Sequence, residues 1–257
     1  MEKPAEKEVT FLEESDFMRG KLHGKQSSLQ KYASLVIGKN SLAALLKYEL
    51  IIFFFGGIPG ALGLALRKIF FPKLFTSVGR GVVFGRNITI RCGQNIILGD
   101  NVIIDDYSVL DGRGADKDKI IIAKNVVLNR SCIVQSKAGG IEIGAYSTIG
   151  NGSAIVSQGG IKIGQWVGIA GGCEVSGGLF EHREPENADS PPFARYTRGP
   201  VILGDNTILA YGAIIVDGVI IGRNCMIGPG CVVINDLPDD CVISSRPGVV
   251  LKRQPAA

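Results

Sequence analysis

A six-residue period runs from about Gly81 to Asp236. It is unbroken for five units: Leu203-Gly204-Asp205-Asn206-Thr207-Ile208, Leu209-Ala210-Tyr211-Gly212-Ala213-Ile214, Ile215-Val216-Asp217-Gly218-Val219-Ile220, Ile221-Gly222-Arg223-Asn224-Cys225-Met226 and Ile227-Gly228-Pro229-Gly230-Cys231-Val232. Each unit opens on an aliphatic residue, often continues with Gly, and carries a small or β-branched residue in fifth place. Six is neither the 3.6 of a helix nor the simple alternation of a strand. It predicts a parallel β-helix, in which each unit is one flat side of a coil and neighbouring coils pair as strands.

A three-sided coil needs three such units, or 18 residues. Turn starts recur at Gly99, Ala123, Gly144, Gly164, Gly204 and Gly222, spaced by 24, 21, 20, 40 and 18 residues. The excess must leave the coils as bulges and loops. Asn87, Asn101, Asn125, Asn206 and Asn224 each sit two residues after a Gly or Ala. Asn and Gly tolerate the left-handed backbone that tight corners require. Hydrophobic content of 46% and 35 glycines suit such a coil.

The same ruler accounts for the six cysteines. Cys92, Cys132, Cys173, Cys225, Cys231 and Cys241 each follow an aliphatic by four residues, which is the inward fifth place, where Cys packs as a small hydrophobe. No C-x-x-C pair occurs, so no metal site is expected, and reduced thiols suit a cytoplasmic protein. Net charge is only +4 and no basic block alternates with aromatics, so nucleic acid is not an expected partner.

Residues 1–27 are charged and polar, include His23, and read as a polar tail with no secretory signal. Residues 28–77 read as an apolar helical hairpin. Asn40-Ser41 can cap a helix over Leu42–Phe55, Gly56-Gly57-Ile58-Pro59-Gly60 breaks it, and a second helix runs Ala61–Phe71 up to Pro72. The apolar run is short of the roughly 20 residues a spanning helix needs. Lys47, Arg67, Lys68 and Lys73 flank it. Two readings stand: peripheral membrane contact through Leu42–Phe71 at the inner face of the cell membrane, or a cap on the coil. The β-helix is expected over 78–236, with loops at 111–119 and 176–200, and a basic tail over 237–257. No hexad is legible between Val175 and Val201, a stretch that holds His182. An unstructured excursion of that length in a compact fold is usually functional or disordered.

The unbroken hexads, the closing Val232-Val233-Ile234-Asn235-Asp236-Leu237-Pro238, and a Gly177-Gly178 loop with one His ahead of Gly199-Pro200-Val201-Ile202-Leu203-Gly204-Asp205-Asn206 resemble the hexapeptide-repeat acyltransferases, in particular their sugar O-acetyltransferase branch. The resemblance covers roughly residues 78–253. It implies a left-handed coil, a homotrimer, active sites between subunits, and acetyl-CoA as acyl donor to a sugar or glycan hydroxyl. Handedness comes from the resemblance alone, since ordinary parallel crossovers are right-handed.

On residues alone, His182 reads either as a solvated side chain or as a base. The resemblance makes it the general base, a task imidazole suits because it titrates near working pH. It also places the donor along Ala210, Gly212, Ala213 and Cys231, with Arg246, Lys252 and Arg253 of the tail on its phosphates. Asp105, Asp111 and Glu184 are the candidate acceptor-binding carboxylates. The chain departs from the family's pattern at Ile208-Leu209-Ala210, at Ser245-Arg246-Pro247-Gly248-Val249, and in the spacing of His182 after Gly177-Gly178. The first two departures, which fall in the family's donor groove, leave the donor open between acetyl and a longer acyl chain. A three-histidine zinc site is excluded with two histidines in the whole chain. A non-catalytic, membrane-tethered solenoid scaffold is the alternative.

Overall fold

The computed structural model describes residues 10–11, 27–182, 184 and 193–244. The chain winds into a left-handed parallel β-helix of about seven turns behind a set of N-terminal helices. Its three flat sides are parallel sheets of seven, eight and seven strands. On the first side Leu98, Ile122, Ile143, Ile163, Leu203 and Ile221 stack in register. On the second side Phe84, Ile104, Leu128, Ile149, Ile169, Leu209 and Ile227 do the same. The third carries Ile90, Leu110, Val134, Ile155, Val175, Ile215 and Val233. All of these side chains are buried and form one continuous core. Each contributes roughly 1.5–3 kcal/mol by leaving water. The stacked first-side residues reproduce the 24, 21, 20, 40 and 18 spacing, so the irregular counts mark where chain leaves the coil.

The corner between the first and second sides is the one read from asparagines. Asn101, Asn125, Asn206 and Asn224 have φ between 56° and 59°. Their amides form a ladder: Asn101 donates to Asn125 (3.1 Å), Asn206 to Asn224 (3.2 Å) and Asn224 to Asp240 (2.9 Å). Asn87, also left-handed, turns the next corner of the first coil. Two coils replace the corner amide with a bulky ring. Tyr146 and Trp166 adopt φ of 63° and 58° and stack face to face, 4.2 Å between centroids. The sequence reading did not anticipate this pair.

Five cysteines are buried and Cys241 is partly so; all six are free thiols. Burial pushes the Cys132 thiol up to about 11, which keeps it protonated and inert. Cys92 departs from the expected register. The inward fifth place there belongs to Ile88, and Cys92 turns the third corner with φ 48°, its N–H donating to the Val36 carbonyl.

Three helices close the first coil: α1 (Ser28–Ile37), α2 (Leu42–Phe55) and α3 (Gly60–Phe70). Ser27 and Gln30 form a capping box that starts α1, and Ser41 caps α2 by accepting from Ala44 N (3.4 Å). The chain after α3 tightens into a 3-10 turn over Phe71–Leu74, which accommodates Pro72. Ile51 of α2, with Phe71 and Phe75, joins the core against Phe84. Arg67 is buried and ties α3 to the coil through the Phe84 carbonyl (2.9 Å) and to the preceding turn through Ile58 (2.7 Å). Within the segment expected to be a tail, Thr10–Phe11 form a short strand; His23 lies outside the described residues.

Candidate active site

The 40-residue turn is where the coil opens. After Glu174–Ser176 the chain leaves the corner between the third and first sides at Gly177-Gly178 and rejoins at Arg198-Gly199-Pro200. In place of an unstructured excursion it folds into an antiparallel hairpin of Leu179–His182 and Phe193–Thr197. Leu179 pairs with Tyr196, Phe180 with Arg195, Glu181 with Ala194 and His182 with Phe193. Ala194 and Thr197 turn inward while Phe180, Glu181 and His182 face solvent. Thr10–Phe11 add a third strand on the outer edge, opposite Thr197 and Tyr196.

Asp217, on the coil that follows, holds the root of this hairpin. Its buried carboxylate accepts from Gly178 N (2.5 Å), from Thr197 Oγ1 (2.8 Å) and from Arg198 N (2.6 Å), so one side chain fixes both strands where they leave the body. Hydrogen bonds to an ionised acceptor are roughly twice as strong as neutral ones. Gly178 has φ 107°, and a Cβ there would lie 2.5 Å from the Gln158 amide carbon, so only glycine fits the exit. Asp217 was missed as a functional position because it fills the third place of an ordinary hexad. His182 ends the first strand at the open end of the hairpin, with its side chain exposed, and Glu181 and Glu184 lie exposed beside it in sequence.

The other candidates lie elsewhere. Ala210 to Ala213 form the corner between the second and third sides, with Gly212 at φ 69° and Tyr211 exposed at its tip. The side chains of Ala213 and Cys231 point into the core, so these two residues can offer a ligand only backbone. Arg246, Lys252 and Arg253 lie outside the described residues. Asp105 sits on that same corner but on the second coil, in a cleft beside Pro59 and Gly60, 3.4 Å from Arg130 Nε. Asp111 is buried and held by the guanidinium of Arg113 (2.5 Å) and by Gln135 Nε2 (3.0 Å), which engages the carboxylate inside the protein. It closes the 111–119 loop, whose Asp116 and Lys119 bond Asn95, folding the loop back on the coil. Three coil rises separate Asp111 from the hairpin, on the order of 14 Å. Within one chain, therefore, His182 and Glu184 are neighbours in sequence, while the donor residues and the two aspartates lie on other corners or other coils. Among the described residues no group of three His, Cys, Asp or Glu is placed to hold a metal ion.

Residues 198–235 match the family model described as bacterial transferase hexapeptide (six repeats). No curated protein matches the sequence. Among solved structures, the chain is similar to a variant of AntD, an N-acyltransferase from Bacillus cereus in complex with dTDP-4-amino-4,6-dideoxyglucose and coenzyme A. That likeness has 23% identity, 71% of this chain, 83% of the other and a TM-score of 0.45. It is also similar to a maltose O-acetyltransferase from Clostridium difficile 630, with 23% identity, 84% and 91% coverage and a TM-score of 0.39. The polySia specific acetyltransferase NeuO is a third, with 18% identity, 69% and 81% coverage and a TM-score of 0.41. Repeat and coil agree over this stretch: the last coils of the solenoid carry the hexapeptide repeat of the bacterial transferase model.

Proposed function

We propose that the chain is a CoA-dependent O-acyltransferase that moves an acetyl or other acyl group onto a hydroxyl of a sugar, in surface polysaccharide or lipid-linked glycan synthesis. The observation that carries this reading is the hairpin. The longest interruption of a transferase-type hexapeptide coil is a built element that presents one imidazole to solvent from a root pinned by a buried carboxylate. In the proposed reaction His182 takes the proton of the acceptor hydroxyl as its oxygen attacks the thioester carbonyl. The tetrahedral adduct then expels the CoA thiolate, which recovers the proton from the imidazolium. General base catalysis of this kind contributes about 10²–10⁴-fold.

The placement of the parts suggests the assembly. His182 leaves one corner of the prism and the donor residues Ala210, Gly212, Ala213 and Cys231 lie on another. A homotrimer would set the hairpin corner of one subunit against the donor corner of its neighbour and complete the site. The test is release of CoA thiol from acetyl-CoA, with a longer acyl-CoA in parallel, across a panel of mono- and oligosaccharide acceptors. Acceptor-dependent thiol release and an acylated sugar product are expected. No release with any donor would refute acyl transfer.

A further inference from the structure

The N-terminal helices have two faces, and the coil uses one. On α2 the inner face is Leu45, Tyr48, Ile51, Ile52 and Phe55, which pack on α1 or on the core of the first coil. Tyr48 also donates to the Ile90 carbonyl (2.9 Å). The opposite face is Leu42, Leu46, Leu50, Phe53 and Phe54. At 100° per residue these five fall within one arc of about 120°, the width of a face that ordinarily packs against something. Phe53 is 80% exposed and Leu42 68%. On α3 the inner positions are Gly63 and Arg67, while Leu62 and Ile69 are exposed on the side away from them. Exposed leucines and phenylalanines this dense are unusual on a soluble surface and mark an interaction site.

The charge around this face selects the occupant. From residue 28 to residue 76 the chain has five lysines and one arginine against a single acid, Glu49. Arg67 is buried, and Glu49 accepts from Tyr32 Oη (2.7 Å). Two copies of so basic a face repel each other, whereas anionic lipid headgroups complement it. Its length also fits: α2 has 14 residues, about 21 Å, and no helix among the described residues is long and apolar enough to cross a membrane.

We infer that α2 and α3 form a docking surface for an anionic bilayer, lying in its interface with Leu42, Leu46, Leu50, Phe53 and Phe54 among the acyl chains and lysines such as Lys39 and Lys68 on the headgroups. Docking itself does not depend on the acyl-transfer reading. One consequence does rest on that reading. The helices seal the first coil and the His182 hairpin leaves after the fifth, four rises of about 4.8 Å further on. The acceptor hydroxyl then stands on the order of 20 Å beyond the first coil, within reach of an extended membrane-anchored glycan.

The test is sedimentation of the full chain with phosphatidylglycerol or phosphatidylcholine vesicles. Wild type is compared with Phe53→Ser/Phe54→Ser, Lys39→Gln/Lys68→Gln and His182→Ala, each checked for folding by circular dichroism. Binding at least tenfold stronger to phosphatidylglycerol is expected for wild type and for His182→Ala, with a loss of about tenfold or more in the phenylalanine pair and a smaller loss in the lysine pair. Absence of binding to phosphatidylglycerol, or equal binding by the phenylalanine variant, overturns the proposal. So does a soluble oligomer that the phenylalanine substitutions break apart, which would assign the face to a protein interface.

Discussion

Asp217 shows what a single residue does in a repeat. Its neighbours in the third hexad place are Asp205, Tyr211, Arg223 and Pro229, all of them corner residues, so nothing in the sequence sets it apart. The structure does, because its carboxylate is the common acceptor for both hairpin strands. Asp217→Ala leaves the N–H groups of Gly178 and Arg198 without that acceptor, at roughly 1–3 kcal/mol for each left buried and unpaired. The expected outcome is a lower urea midpoint together with a loss of turnover larger than any loss in donor binding; unchanged turnover would mean the hairpin keeps its place without the carboxylate. The cysteines make the opposite case. Their inward places were legible for Cys132, Cys173, Cys225 and Cys231, where the hexad is regular. They were not legible for Cys92, where a strand runs on to Arg91 and shifts the register.

At the scale of elements, coil sides and corners were legible because each repeats one steric demand many times. Aliphatic residues must point inward every sixth place, and Asn or Gly relieves most of the corners. The hairpin was not legible, since strands of four and five residues are too short to set up a period of their own. Helix α1 was overlooked although Ser27-x-x-Gln30 is a capping box that sequence alone displays. The aromatic corner tests the steric argument quantitatively. Holding Trp166 at φ 58° costs about 1–2 kcal/mol. The stack on Tyr146 returns about 0.5–1.5 kcal/mol. Trp166→Asn removes the strain and the stack together, and its amide falls in line with the neighbouring Asn206. Stability should change by less than about 1 kcal/mol, read from the denaturation midpoint. A loss well above that would show that the stack outweighs the strain.

At the scale of the molecule, the coil is regular, and the proposed chemistry is assigned to the place where it is interrupted. The coil was readable over most of 78–236, but it runs further than expected: Leu237 bridges to Ile221, and Val242–Ile243 pair with Met226–Ile227, in a segment read as tail. The proposed site was readable only as a gap, because the hairpin and the candidate donor residues sit at different corners of the prism and no spacing along the sequence reports how corners are arranged in space. The proposed function puts His182 at the centre of the gap. It is tested by measuring acceptor-dependent thiol release from acetyl-CoA for wild type and for His182→Ala, with CoA affinity measured on both. A fall in turnover of about 10² or more at unchanged CoA affinity is the predicted result. Equal turnover in the two proteins would contradict it.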